Sequence, residues 1–227
     1  MSFSEFMNKL MKDEVEGEIV KTVFYSLFTS LIVFGILYYL KLRNISGFMD
    51  KYGFFLFFSF LSYSLIIAVI RQVRAFKEFP CMSGMMIGMT LGMIAGFLSG
   101  YFVGATNGMF YGSVFGMVIG IIVGGINGRC CGIMGIMEGI MAGFMGGIMG
   151  AMTAVMMIND NLKLAGLVVF IVSAVIMIGL NYMVYKETRQ MERQRNEDSF
   201  ITIVLSFILT TVTIWLMVFG PRSILFQ

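Results

Sequence analysis

Histidine is absent from this 227-residue chain, and proline occurs only at Pro80 and Pro221. Without histidine there is no His-based catalytic triad and no histidine to hold a haem. No nucleophile–base–acid set is visible otherwise, so enzymatic chemistry is not expected. Charged residues make up only 13% of the chain, about half the share usual in a soluble domain. The net charge of +3 is small and scattered, which argues against nucleic acid as a partner. Three cysteines, two of them adjacent, make no disulfide framework, and Cys130 and Cys131 are poorly placed to pair with each other. No cleavable signal is apparent. The first long apolar run, Thr22 to Leu40, follows a charged stretch and has the length of a membrane span.

What the chain has instead is apolar side chains and glycine. Hydrophobic residues form 58% of it, and the mean hydropathy is +0.88. Thirteen glycines keep an unbroken four-residue spacing: Gly84, Gly88, Gly92, Gly96, Gly100, Gly104, Gly108, Gly112, Gly116, Gly120, Gly124, Gly128 and Gly132. On a membrane helix this spacing makes a strip without side chains, and a neighbouring backbone can approach it closely. Four residues against 3.6 per turn drifts by about 40° each step, so the strip winds round its helix and can serve more than one partner. These are not phosphate-cradling glycines, because no strand precedes them and no lysine with serine or threonine completes a P-loop.

The expected architecture is an all-α, polytopic transmembrane bundle of about seven spans with a glycine-zipper core. Residues 1–21 form an N-terminal segment that could lie on the membrane as an amphipathic helix. Residues 22–80 hold the first two spans, near Thr22–Leu40 and Gly53–Ile70, and Pro80 marks the next helix start. Residues 81–157 form a glycine- and methionine-rich core. At 1.5 Å per residue this core would exceed ~100 Å as one helix, so it is cut at its polar breaks, Ala105–Asn107 and Asn127–Arg129. Spans near Cys81–Gly104, Gly108–Ile126 and Cys130–Met157 result. Residues 158–227 hold the last two spans, Leu164–Tyr185 and Phe200–Phe219, joined by the charged loop 186–199.

Lysine and arginine favour the cytoplasmic side. Seven spans place eleven of them on the side of the N-terminus and five on the other. The reading is a multi-pass protein of the cytoplasmic membrane with a cytoplasmic N-terminus. Cys81, Cys130 and Cys131 then lie together at the cytoplasmic ends of spans three and five.

Span five carries two unlike faces. Met134, Met137, Met141, Met145, Met149, Met152 and Met156 form a stripe about 120° wide at helical spacing. Gly139, Gly143 and Gly147 lie on the other side with further glycines. Glu138 falls within the methionine stripe and is the sole acidic residue between Glu78 and Asp160. A carboxylate inside a span is costly unless neutral, paired or wetted, so it marks a candidate functional residue. Arg129, nine positions away, is out of reach on the same helix. Met82, Met85, Met86, Met89 and Met93 repeat the theme in span three.

Thioethers and thiolates are soft ligands suited to Cu(I). Cys81, Cys130, Cys131, Met134, Met137 and Met141 are therefore the candidate metal ligands, and Glu138, Met145 and Met149 the candidate ion path. The bland alternative is that methionine fills irregular gaps and cysteine serves as a small apolar residue. Met82–Met86, Met85–Met89 and Met89–Met93 each make an MxxxM, and Gly84–Gly88 makes a GxxxG. In this pairing the chain resembles the eukaryotic copper-uptake transporters. Those have three spans with the two motifs on separate helices, whereas here the motifs interleave on one. The glycine strips are also similar to those of the mitochondrial inner-membrane translocase family, from which methionine content and span count depart. Two functions follow as expectations. One is a permease or channel for a small ion, Cu(I) favoured. The other is a scaffold or accessory subunit that docks through its glycine helices. Lipid, a second copy or other membrane subunits are the expected partners.

Overall fold

The computed structural model describes residues 17–40, 48–75, 80–188 and 199–221. Among the described residues seven α-helices follow in chain order: α1 (Gly17–Leu40), α2 (Phe48–Arg74), α3 (Cys81–Asn107), α4 (Met109–Asn127), α5 (Gly132–Met156), α6 (Leu162–Thr188) and α7 (Ser199–Phe219). All seven are long and apolar enough to cross a membrane. Helices suit this setting because lipid offers no partner to backbone N–H and C=O groups, which must bond within the segment. The N-terminal 16 residues and residues 189–198 between α6 and α7 lie outside the described residues, so most of the expected amphipathic segment does too.

The helices other than α4 and α5 are longer than the apolar runs that announce them. α2 reaches Arg74 and α6 reaches Thr188, because a helix continues past the hydrocarbon wherever its polar residues can meet water. The first expected break also moves. α3 runs through Ala105 and Thr106 to Asn107, and the chain turns at Gly108, with φ 90° and ψ 173°. A side chain is strained there, and glycine is not. The second break is a 3-10 turn, Gly128–Cys131, followed by Gly132 at φ 69°. Cys130 and Cys131 therefore belong to this turn and do not open α5, as the sequence reading had them. The four-residue glycine period survives both reversals because it supplies Gly108 and Gly132 where the backbone needs a positive φ.

α3, α4 and α5 form one half of the molecule, running up, down and up. Their contacts are backbone to backbone. A Cβ added to Gly92 would stand 2.8 Å from the Gly139 carbonyl oxygen and 3.0 Å from the Gly124 Cα. One added to Gly96 would meet Gly143 O at 2.8 Å and Gly147 N at 2.9 Å, and one on Gly100 would meet Gly147 O at 2.6 Å. Lower on the helix, Gly88 abuts Gly128 and Gly124 of the neighbouring segment. Along α3 the glycines from Gly92 to Gly104 meet both neighbours: Gly100 faces Gly116 and Gly147, and Gly104 faces Gly112 and Ala151. Gly84 is buried on α3, and Gly112, Gly116 and Gly120 are buried on α4.

The other half is built round α2, with α1, α6 and α7 as its neighbours. α3 joins the halves because its far face is bulky. Ile87, Leu91, Leu98, Tyr101 and Phe102 are buried in one cluster with Phe55, Leu56, Phe60, Tyr63, Met177 and Met217. Two polar ties reinforce the joint. The Tyr101 hydroxyl donates to Leu162 O at 2.9 Å, and Asn107 Nδ2 donates to Leu216 O at 2.8 Å and to Pro221 O at 3.3 Å. α5 stands apart: its principal neighbours are α3, α4 and the 3-10 turn. One full side of it faces away from the bundle.

Candidate functional site: an outward methionine face and a buried hydroxyl seam

That free side is the methionine stripe. Met134, Met137, Met141, Met145 and Met149 are between 52% and 66% exposed. Gly139, Gly143 and Gly147 are buried on the opposite side of the same helix. The division follows from size: backbone contact admits hydrogen alone, so every large side chain of α5 turns outward.

α3 contributes a second row. Met82, Met86, Met89 and Met93 are exposed as well. A Cβ on Gly146 would stand 3.0 Å from the Met93 Cα, and one on Gly150 would stand 2.9 Å from that of Phe97. The two helices therefore run parallel, and their methionine rows lie at the same level on either side of one seam. Glu138 sits in this face, half-buried, near the level of Gly92. At about 100° per residue it falls on the α3 side of the stripe, and Met137 on the α4 side. No hydrogen-bond or ion-pair partner of Glu138 occurs among the described residues.

Of the candidate metal ligands, Met134, Met137 and Met141 share the outward face of α5. Among the described residues no group of three or more His, Cys, Asp or Glu side chains could hold a metal ion. The turn that carries Cys130 and Cys131 packs near Gly88, but their side chains lie outside the described residues. Cys81 is exposed at the first position of α3, seven residues or about 10 Å before Gly88 along the axis. Cys81 is therefore expected to label rapidly with a maleimide in permeabilised cells. The charge count further predicts that a membrane-impermeant maleimide on intact cells misses it. Rapid labelling of Cys81 from outside would reverse the orientation.

A second polar feature escaped the sequence reading. Thr22, Ser26 and Ser30 on α1, and Thr202, Ser206, Thr210 and Thr213 on α7, are all buried. Ser26 Oγ and Ser206 Oγ share a hydrogen bond of 2.7 Å between the two helices. Further along, Thr213 Oγ1 and Tyr63 Oη of α2 are bonded at 3.0 Å. At the other end Arg71 Nη1 donates to Thr22 Oγ1 at 3.2 Å. Several of these hydroxyls also donate to a carbonyl one turn back, as Ser30 does to Ser26 O and Thr210 to Ser206 O. Hydroxyls bonded across membrane helices act as fasteners, typically worth ~0.6 kcal/mol each. The signal was present as two series of Ser and Thr at three- or four-residue spacing. Interspersed large apolar residues masked it in a reading by hydropathy.

Compared with protein-family models, with curated proteins and with solved structures, the chain matches none. The geometry of the faces is what bears on function.

Proposed function

We propose that this protein is a non-catalytic accessory subunit of a membrane complex. Its glycine-packed trio is a rigid support, and the methionine face of α3 and α5 is where it holds an apolar helix of another subunit. One observation carries this reading. The exposed methionines of α3 and α5 stand on the outside of a glycine core too tight for an added Cβ. The expected docking strips, the glycines, are already occupied by one another. Methionine supplies what a docking surface in lipid needs, since its unbranched thioether adapts to an irregular partner without polar atoms to desolvate.

The transport reading, with Cu(I) as cargo, rests on the same residues. Between Gly92 and Gly147 the trio leaves no room for an ion, because even a Cβ would stand within 3 Å of backbone. An ion path along Met134, Met137, Met141, Met145 and Met149 would run on the outer face of one copy. It is supported only in an assembly where another chain covers that face.

Photocrosslinking in native membranes separates the two readings. A benzophenone residue replacing Met141 or Met145 is expected to give one protein adduct of constant size. The same residue at Val172 or Val175, exposed on α6, is expected to give lipid adducts alone. Lipid adducts at both faces would remove the docking reading. Methionine-dependent Cu(I) or Ag(I) uptake by vesicles holding this chain alone would establish transport in its place.

A further inference from the structure

The methionine face is apolar except at one point, and that point specifies the occupant. Glu138 is the seventh residue of α5, about 9 Å along the axis from Gly132. It stands half-buried among exposed methionines with no partner among the described residues. A carboxylate at this depth in lipid is unfavourable until something neutralises it. The residues that flank it on α5, Met134, Met137, Met141 and Met145, offer no donor and no charge. The hydroxyl of Thr90, near its level on α3, is engaged with the Met86 carbonyl at 2.6 Å.

A second copy of this chain does not answer the need. Two copies paired face to face about an axis along the membrane normal bring Glu138 against Glu138, like against like. Among the described residues no cation pairs with Glu138. Arg71 is committed to Thr22 across the other half of the molecule, and Arg129 precedes Glu138 by nine positions.

Resting on the docking function above, we infer that the occupant is a transmembrane helix carrying one lysine or arginine about two turns inside the membrane. The basic side chain pairs with Glu138 while leucine-sized residues above it settle among Met141, Met145 and Met149. The methionines supply contact area. The ion pair supplies register and partner choice, because a helix without the cation leaves Glu138 desolvated and unpaired.

The test uses the full chain, reconstituted in lipid vesicles with a donor fluorophore. The probe is a 24-residue Leu/Ala transmembrane peptide bearing an acceptor, made with Lys, Leu or Glu at its seventh residue. Energy transfer reports association. The Lys peptide is expected to bind the wild-type chain roughly tenfold more tightly than the Leu peptide, the effect of about one neutralised charge. The Glu peptide is expected to bind most weakly. In Glu138→Gln, which keeps size and removes charge, Lys and Leu peptides should bind alike. Equal binding of Lys and Leu peptides to the wild type overturns the inference and leaves the docking face standing. A Lys preference that survives Glu138→Gln overturns it too, by placing the contact elsewhere. Failure of every peptide to associate removes the docking function itself. Glu138-dependent self-association without peptide would assign the face to a second copy instead.

Discussion

Gly96→Leu is expected to unfold the three-helix half of the molecule. The new side chain would start 2.8 Å from Gly143 O and 2.9 Å from Gly147 N, before any of its outer carbons is placed. Both obstacles are backbone, so no rotamer change relieves the clash. α3 must part from α5, and every glycine contact along the pair is lost with it. Membrane helices have little hydrophobic drive to hold them together, so close packing is the main attraction that remains. Overpacking of this kind costs ~3 kcal/mol or more. For a chain of this length that corresponds to a fall in Tm on the order of 10 °C. Thermal unfolding in detergent gives the measurement, with Gly179→Leu as the control. Gly179 lies on exposed α6 with nothing within 4 Å of its added Cβ. A leucine there faces lipid and should leave the Tm unchanged. If Gly96→Leu melts within 2 °C of the wild type, the contact shown between α3 and α5 is not the one that holds the bundle.

Asn107→Leu should loosen the end of α7. Asn107 is 3% exposed, and its amide makes the side-chain link from the end of α3 to Leu216 O and Pro221 O. Its Oδ1 accepts from the Thr106 hydroxyl at 2.7 Å. Leucine fills the volume and bonds none of these groups. Leu216 O keeps the Gly220 N–H and Pro221 is exposed, so the cost is that of the lost bonds themselves, ~1 kcal/mol each. The expected result is a lower Tm together with faster proteolysis in the chain following Phe219. Asn107→Asp separates geometry from hydrogen bonding, since it keeps the shape but turns an oxygen toward two carbonyl oxygens. It should destabilise at least as much as leucine. A tolerated Asn107→Asp would mean that the bond to α7 contributes nothing.

Much of the fold was legible before any coordinates. Seven apolar runs became seven helices, since a segment of that length and polarity has no other way to satisfy its backbone in lipid. Where the reading slipped, a local choice was decided by distant contacts. Ala105, Thr106 and Asn107 look like a polar break. Yet they stay helical, because Asn107 finds its partners on α7, more than a hundred residues away. Asn127–Arg129 does mark a break, but the helix restarts only at Gly132, past both cysteines, because only a glycine takes φ 69° there without strain.

The sequence by itself determined the membrane setting, the number of helices and the two-faced character of α5. Composition and period suffice for these, because each depends on a residue's own chemistry and its place on one helix. Which face turns inward depended on the neighbours. A stripe of methionines that includes a glutamate reads equally well as the lining of a path or as an outer surface. The packed trio turns them outward in the single chain: backbones that meet within 3 Å of an added Cβ exclude every larger side chain. The thioethers and Glu138 had nowhere to go but out. The hydroxyl seam was settled in the same way. Ser26 and Ser206 stand 180 positions apart, and nothing local to either announces that α1 and α7 will lie side by side.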